Sequence, residues 1–131
     1  MKEFRSYLKD SRAVKTFTLG SEGEELAVKF LKKKEYNIIA RNYKTPIGEI
    51  DIVAKDKDTI VFIEVKTRTN DSFGYPFEAV NQHKRRKLKN LALLYLKKQR
   101  HEFPVRFDVI SISCAQNGKK SIEHIIDAFE V

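Results

Sequence analysis

The stretch from Gly48 to Lys66 constrains the fold of this chain most strongly, because it predicts two buried strands joined by a short turn. It reads GEIDIVAKDKDTIVFIEVK, with the turn at residues 55–58. Successive side chains of a strand point to opposite faces of the sheet. Apolar residues therefore fall on both faces of each strand, which is typical of central strands that are covered on two sides.

The same alternation predicts which charged side chains share a face. In the first strand, one face holds Glu49, Asp51 and Val53, and the other holds Ile50, Ile52 and Ala54. In the second strand, one face holds Ile60, Phe62, Glu64 and Lys66. Charged groups at the rim of a core are seldom found unless they are paired, bind a metal or do chemistry. Two interpretations stay open here, namely a Glu64–Lys66 ion pair with Asp51 as a solvated acid, or a metal site.

Positive charge is concentrated in one part of the chain. The protein carries 26 Lys and Arg against 18 Asp and Glu, which gives a net charge of +8. Between Glu78 and Glu102 there is no acidic residue, and the basic residues of that interval equal the whole excess: Lys84, Arg85, Arg86, Lys87, Lys89, Lys97, Lys98 and Arg100. A one-sided distribution of this kind favours a phosphate-bearing partner. The alternative is a solvated helix face rich in good helix formers.

Composition limits the class of protein. A chain of 131 residues fits one domain, and 41% hydrophobic residues argue against disorder. The single cysteine, Cys114, excludes an intrachain disulfide and is typical of the reducing cytoplasm. No apolar run reaches the length of a membrane span, and the first residues do not resemble a signal peptide. We therefore expect a cytoplasmic protein without a membrane partner.

The remaining patterns predict the order α-β-β-β-α-β-β, with residues 1–18 as an arm or short helix and residues 19–131 as one domain. The predicted elements are a helix from near Ser21, a strand at 38–43, the two strands described above, a helix at 78–99, and strands at 105–113 and 121–128. The capping box Ser21-Glu22-Gly23-Glu24 predicts the first helix start. This order predicts an α/β domain with a mixed central sheet flanked by helices.

Two helical positions bear on function. Gly23 falls toward the apolar stripe of the first helix, where it allows a close approach to a neighbouring backbone, and Glu24 lies at the edge of that stripe. Two interpretations of Glu24 stay open: its side chain caps the helix start, or it acts as an acidic metal ligand. Lys84 lies one turn before Leu88 in the apolar arc of the second helix. We expect its ammonium group to reach solvent or to point into a cleft at the helix start.

Several segments together resemble a known family. Asp51 followed by Glu64-Val65-Lys66 is similar to the PD-(D/E)xK nuclease motif on its αβββαβ core, although Ile50 stands where the motif name has proline. The segments that resemble the YraN-like family of small bacterial proteins are Gly20-Ser21-Glu22-Gly23-Glu24 with Ala27, Arg41-Asn42, Gly48-Glu49-Ile50-Asp51, Glu64-Val65-Lys66 with Arg68, Phe73-Gly74, Lys84 and Arg106-Phe107-Asp108. The resemblance covers roughly residues 20–129. That family is similar in fold to Holliday-junction resolvases and restriction endonucleases.

The resemblance implies a site and a reaction. It implies one or two Mg²⁺ or Mn²⁺ ions held by Asp51, Glu64, the Val65 carbonyl and Glu24, with Glu49 in support and Lys66 stabilising charge or orienting water. The residues expected to contact nucleic acid are Arg68, Lys84, Arg85, Arg86, Lys87 and Lys89. The expected function is an endonuclease acting on DNA, branched or otherwise structured DNA included, and a homodimer is one expected assembly. The alternative is a nucleic-acid-binding protein that keeps the fold without catalysis.

Overall fold

One five-stranded sheet carries a helix on each of its faces. The computed structural model describes residues 11–69, 82–99, 102–115 and 117–129. The elements are α1 (Ser11–Lys33), β1 (Asn37–Thr45), β2 (Gly48–Asp56), β3 (Thr59–Thr69), α2 (Gln82–Lys97), β4 (Val105–Cys114) and β5 (Lys120–Ile125). The predicted fold class is therefore confirmed, with a core in the order αβββαβ and one extra C-terminal strand.

The strands lie in the sheet in the order in which they occur in the chain. The neighbouring pairs β1–β2, β2–β3 and β4–β5 are antiparallel, whereas β3 and β4 are parallel. Parallel neighbours need a crossover connection, and α2 lies within the segment that connects them. The sheet is thus mixed, and the N-terminal end of α2 follows the C-terminal end of β3.

Strand β3 is the central strand, and its alternation is as predicted. Ile60 and Phe62 pack on the α2 side of the sheet with Leu88 and Leu91. Val61 and Ile63 pack on the opposite side, in the cluster that contains Leu31 and Ala27 of α1: its buried members are Ala27, Val28, Leu31, Tyr36, Ile52, Ala54, Val61, Ile63, Ile110 and Ile112. Both faces of β3 are covered, so Glu64 and Lys66 continue the face that carries α2.

The predicted start of the first helix at Ser21 is wrong. Helix α1 begins at Ser11, so Ser21 lies inside the helix and cannot act as its N-cap. Serine costs a helix interior about half a kcal/mol relative to alanine, which is roughly half of the glycine penalty and far below the proline penalty. It does not stop a helix that the neighbouring residues continue. Residues 11–18, expected to form an arm or a short helix, are the first turns of α1.

Gly23 lets α1 approach β3 closely. A Cβ atom at Gly23 would overlap the methyl group of Thr67, while the Ile112 Cδ1 atom lies at an ordinary contact distance of 3.7 Å from the same position. The predicted close approach is confirmed, and Thr67 of β3 is the neighbour. This contact holds the second half of α1 against the C-terminal end of β3.

We expect Gly23→Ala to destabilise the fold by about 1–3 kcal/mol, because the added methyl group overpacks the contact with Thr67. The double variant Gly23→Ala/Thr67→Ser removes the opposing methyl group and should regain most of that loss. Urea unfolding of the wild type, both single variants and the double variant gives the coupling free energy between the two sites. Additive effects in this cycle would contradict the contact.

The predicted alternation of β2 is wrong at its first residues. Ile50 packs with Val53 on the α2 side, whereas Ile52 packs on the α1 side. The ladder between β2 and β3 ends at the pair Ile52–Ile63, and the residues before Ile52 pair with β1 alone. Before Ile52, β2 no longer pairs with β3, and Ile50 packs with residues of α2. Asp51 lies where β2 and β3 separate.

Some predicted features lie outside the described residues or end elsewhere. The outside set comprises residues 1–10, the loop segment with Phe73–Gly74, the helix start at Glu78, Arg100 and His101. The last strand ends at Ile125 and not at Ala128, because Asp127 adopts a positive φ of 56° that a strand does not allow. Within the described part of the chain, no helix is long and apolar enough to cross a membrane.

Candidate functional site

Asp51 lies at the point where β2 stops pairing with β3. Its Oδ2 atom accepts a hydrogen bond of 2.8 Å from the backbone N–H of Val65. The side chain thereby replaces a backbone partner that the ladder no longer supplies beyond the Ile52–Ile63 pair. The carboxylate of Asp51 is thus fixed beside the start of the Glu64-Val65-Lys66 segment.

Glu64 is a buried carboxylate that contacts two lysines. It is 7% exposed, and its Oε1 atom lies 2.6 Å from the Nζ atom of Lys84 and 3.6 Å from that of Lys66. The ion pair with Lys66 considered from the sequence is therefore formed, and the contact with Lys84 is the shorter one. Lys84 comes from the first turn of α2, so it points into the cleft at the helix start.

Burial and neighbouring charge disfavour the ionised form of Asp51. The pKa of Asp51 is raised to about 6, first by burial and then by the neighbouring charge of Glu64, with a smaller contribution from Glu24. The hydrogen bond from Val65 and the charge of Lys84 oppose this rise. A carboxylate whose pKa is raised in this way in a cleft is a group whose charge a bound cation would stabilise.

The two lysines respond in opposite directions. The pKa of Lys66 is lowered, first by burial and then by the adjacent Lys84 ammonium group. Burial alone would lower the pKa of Lys84 as well, but its hydrogen bonds and the negative charges of Glu64 and Asp51 together outweigh burial and raise it. Lys84 is therefore the permanent positive charge of the pair, and Lys66 is the lysine whose proton is more easily released.

The two other predicted acids lie at the margin. Glu24 Oε1 accepts a hydrogen bond of 2.9 Å from Asn42 Nδ2 and lies 3.5 Å from Arg41 Nε. Glu24 is close enough to raise the pKa of Asp51, but its hydrogen bond and its ion pair connect it to Asn42 and Arg41 of β1. Glu49 is exposed, and its partner in the β1–β2 ladder is Lys44. Neither acid joins the buried pair directly.

The donor set of the site fits a hard divalent cation. Mg²⁺ binds through one or two carboxylates and otherwise keeps water or substrate phosphate oxygens as ligands. Asp51 and Glu64 supply two such carboxylates, and the charge of Glu64 contributes to the raised pKa of Asp51. Among the described residues, no group of three His, Cys, Asp or Glu side chains converges on one point. The site therefore fits an ion shared with substrate and not a closed protein cage.

The predicted phosphate-contacting residues surround this cleft on two elements. Arg86, Lys87 and Lys89 are exposed on the first turns of α2, and Arg68 is half-buried on β3. The methylene groups of Lys87 pack over Gly48, whose φ of 148° and close contact leave no room for a side chain. The guanidinium carbon of Arg85 lies 5.4 Å from the centre of the Phe129 ring. The exposed basic residues Arg86, Lys87 and Lys89 thus lie on the same helix as Lys84, within the next five positions of the sequence.

Residues 23–112 match the profile of a family described as Uncharacterised protein family UPF0102. The chain belongs to this family. It is 55% identical over 111 residues to the UPF0102 protein of Thermodesulfovibrio yellowstonii, which covers 85% of this chain and 95% of the relative. It is 51% identical over 112 residues to the UPF0102 protein of Syntrophomonas wolfei, covering 85% and 96%. The predicted YraN-like family is thereby confirmed, and the UPF0102 match includes every residue of the candidate site.

A second charged cluster of this UPF0102 protein was not predicted as a unit. Asp108 is 1% exposed, and its carboxylate accepts hydrogen bonds from Arg106 Nε at 2.9 Å and from the Asp127 N–H at 2.9 Å. His124 Nε2 lies 2.8 Å from Asp108 Oδ2, and Lys34 Nζ lies 3.0 Å from His124 Nδ1. A neutral imidazole with its proton on Nε2 satisfies both contacts.

This cluster ties together elements that are distant in sequence. Arg106 also contacts Asp56 Oδ2 at 3.1 Å and the Tyr36 hydroxyl at 2.7 Å. Burial alone would raise the pKa of Asp108, but hydrogen bonds from His124, Arg106 and Asp127 outweigh it and lower that pKa. The available signal was the pair Arg106 and Asp108, two residues apart on a strand that enters the core. The partner His124 lies on β5, and no comparable signal in the sequence marks it.

Proposed function

We propose that this UPF0102 protein is a divalent-metal-dependent endonuclease that hydrolyses phosphodiester bonds in DNA, and that it belongs to the PD-(D/E)xK superfamily. The observation that carries the proposal is the pair of neighbouring acids, the partly buried Asp51 and the buried Glu64, beside Lys66 and Lys84 at the start of a basic helix. An acid whose pKa is raised to about 6 costs folding free energy while it is ionised, and a cleft that also holds two lysines is where such a cost serves a function. Branched or otherwise structured DNA is the first substrate to test.

Asp51 and Glu64 would hold the metal ion, and the Val65 carbonyl as a further ligand stays a prediction. A bound Mg²⁺ or Mn²⁺ ion supplies Lewis acidity toward the phosphate and lowers the pKa of water. The chain's own contribution is to fix the two carboxylates. Asp51 is held by the Val65 N–H, and Glu64 is held by burial and by its lysine contacts. Fixed ligands need no reorganisation when substrate arrives.

Lys66 is the residue best suited to handle charge at the reacting phosphate. It lies two residues after Glu64 on the same face of β3, so the acid and the amine face one cleft. Its lowered pKa makes proton exchange with a nearby water easier than for an ordinary lysine. In its charged form the ammonium group would stabilise negative charge that develops on the phosphate.

The test is a cleavage assay with end-labelled branched, duplex and single-stranded DNA, with Mg²⁺ or Mn²⁺ and with EDTA as the metal-free control. We expect metal-dependent cleavage by the wild type and a loss of about 100-fold or more in Asp51→Asn, since one fixed electrostatic group is removed. Glu49→Gln changes an exposed acid of the same strand and serves as the matched control. Equal cleavage by wild type and Asp51→Asn would remove the catalytic assignment.

A second candidate function is nucleic-acid binding without catalysis. It is favoured by the Lys84–Glu64 ion pair of 2.6 Å, because the ammonium group already neutralises a carboxylate that a metal ion would need. This candidate predicts salt-sensitive DNA binding, no metal-dependent cleavage of any substrate, and normal binding by Asp51→Asn. The same set of assays separates the two candidates. Assembly as a homodimer stays a prediction that sedimentation of the free and DNA-bound protein tests.

Both candidates require α2 to contact phosphates. We expect Arg86→Gln/Lys89→Gln to weaken DNA binding and to reduce the slope of log K against log salt concentration by about 2, because each lost phosphate contact releases about one counterion fewer. The control is Lys32→Gln/Lys33→Gln, which removes the same charge from two exposed positions in the last turn of α1. Fluorescence anisotropy from 50 to 200 mM salt gives both slopes. Identical slopes for the two double variants would contradict a DNA contact on α2.

A further inference from the structure

The two acids of the cleft are neutralised unequally. Lys84 and Lys66 both contact the same oxygen of Glu64, Oε1, at 2.6 and 3.6 Å. The contact of Asp51 Oδ2 is instead a neutral N–H, that of Val65. Glu64 is therefore the carboxylate of the pair that contacts ammonium groups, and the Lys84 ammonium group lies against the carboxylate that the proposed metal ion would use.

Lys84 is attached differently from the rest of the site. Asp51, Glu64 and Lys66 come from the sheet, whereas Lys84 comes from the first turn of α2. Its side chain is about a third exposed, against 9% for the side chain of Glu64. A lysine has four flexible methylene groups, so its ammonium group can leave the carboxylate while the helix stays in place.

We propose that Lys84 is a resident counter-ion of Glu64, which gives up this contact when a divalent cation binds and then contacts a phosphate of the nucleic acid. The inference rests on the proposed function, because it concerns the same pair of acids. An ammonium group and a divalent cation cannot both lie within hydrogen-bonding distance of one oxygen without strong repulsion. Lys84 therefore weakens the binding of a cation to the free protein.

The exchange couples the metal to the substrate. When a phosphate binds Lys84, the Glu64 carboxylate becomes available to a cation. When a cation binds Glu64, the Lys84 ammonium group becomes available to a phosphate. Such coupling is reciprocal, so each ligand strengthens binding of the other by the same factor. An ion would then be held firmly only when DNA is present, which limits metal binding by the free protein.

The test measures Mn²⁺ binding by electron paramagnetic resonance at pH 8 on the full chain without DNA. We expect Lys84→Met to bind Mn²⁺ about 5- to 100-fold more tightly than the wild type, the usual range of coupling between two sites. Lys84→Arg keeps the charge and should stay near the wild-type affinity. Lys97→Met removes the same charge from an exposed position in the last turn of α2, and it controls for net charge.

A second measurement tests the contact between Lys84 and Glu64 in the wild-type protein. In the wild type, the ¹⁵N–¹H signal of the Lys84 ammonium group, assigned by its loss in Lys84→Arg, should be protected from solvent exchange in EDTA. Its chemical shift should change when Mg²⁺ and a short DNA duplex are added, because a phosphate then replaces the Glu64 carboxylate as its partner. Unchanged Mn²⁺ affinity in Lys84→Met, or an ammonium signal unaffected by Mg²⁺ and DNA, overturns the role of Lys84. Mn²⁺ binding by the wild type that disappears in Asp51→Asn would still support the proposed metal site in that case. Absence of Mn²⁺ binding in the wild type and in Lys84→Met overturns both.

Discussion

Replacing Asp51 by Asn is expected to stabilise the metal-free protein at pH 7.5 by about 1–3 kcal/mol in the free energy of unfolding. The Asp51 carboxyl group has its pKa raised to about 6 by burial and by Glu64. The folded state therefore binds this proton more tightly than the unfolded state does, and holding the charge costs stability above pH 6. Asparagine has no such charge, and its Oδ1 atom can still accept the hydrogen bond from Val65.

The pH dependence of this difference identifies its cause. The advantage of Asp51→Asn should be full above about pH 7, should shrink as the pH falls through 6, and should vanish below the ordinary pKa of 3.8. Urea unfolding of both proteins between pH 4 and 8 in EDTA measures it, and Glu49→Gln is the exposed control. With millimolar Mg²⁺, the wild type should gain stability and the variant should not. A less stable Asp51→Asn at pH 7.5 in EDTA would contradict a cleft with excess negative charge.

Replacing Asp108 by Asn is expected to destabilise the fold by about 3–5 kcal/mol, because it leaves the partly buried Arg106 guanidinium group without its main counter-charge. The amide group cannot accept from Arg106, His124 and the Asp127 N–H together. Domains of ordinary stability have about 5–15 kcal/mol in total, so this variant should unfold far below the wild-type temperature. Thermal and urea unfolding followed by circular dichroism measure the loss.

Asp56→Asn is the matched control for that variant. Asp56 contacts the same guanidinium group at 3.1 Å, but its side chain is 30% exposed, so its loss should cost at most about 1 kcal/mol. The pH dependence gives a second readout. The lowered pKa of Asp108 contributes stability that is present above the ordinary pKa near 3.8 and is lost as the pH falls through the folded-state value. Equal melting temperatures for Asp108→Asn and Asp56→Asn would show that the cluster does not hold the fold together.

Much of the sheet could be predicted from the sequence, because local patterns determine it. Strand β3 is covered on both faces, so Ile60 and Phe62 necessarily face one helix and Val61 and Ile63 the other. The same alternation assigns Glu64 and Lys66 to one face. The position of Lys84 within the apolar arc of α2 predicted an ammonium group that reaches solvent or a cleft. Its contact with Glu64 follows from the crossover that lays α2 over β3.

Other features depend on tertiary structure that no local pattern contains. The alternation of β2 changes at Ile50 because β2 leaves β3 at the Ile52–Ile63 pair, and that separation is set by the turning of the hairpin toward α2. The capping pattern at Ser21 was overridden because the helix continues from Ser11. Capping residues are favoured at helix ends but are tolerated inside helices, so such a pattern predicts an end only where the helix lacks support beyond it.

The Asp108 cluster shows the same limit for charged residues. Arg106 and Asp108 are two residues apart, but their partners come from two other parts of the chain: Lys34 and Tyr36 lie between α1 and β1, and His124 lies on β5. The sequence contains each of these residues without any sign that the sheet gathers them on the α1 side. Burial decides their roles, because a buried carboxylate needs partners and takes them from whichever elements pack nearby.

The central claim is that Asp51 and Glu64 together bind a divalent cation, and an anomalous-scattering measurement on crystals soaked in Mn²⁺ tests it most directly. The account predicts an anomalous peak between the two carboxylates in the wild type, with the Lys84 side chain moved away from Glu64. Asp51→Asn crystals soaked in the same way should lack that peak. No peak in the wild type, with the Lys84–Glu64 ion pair unchanged under the same soak, would contradict the claim.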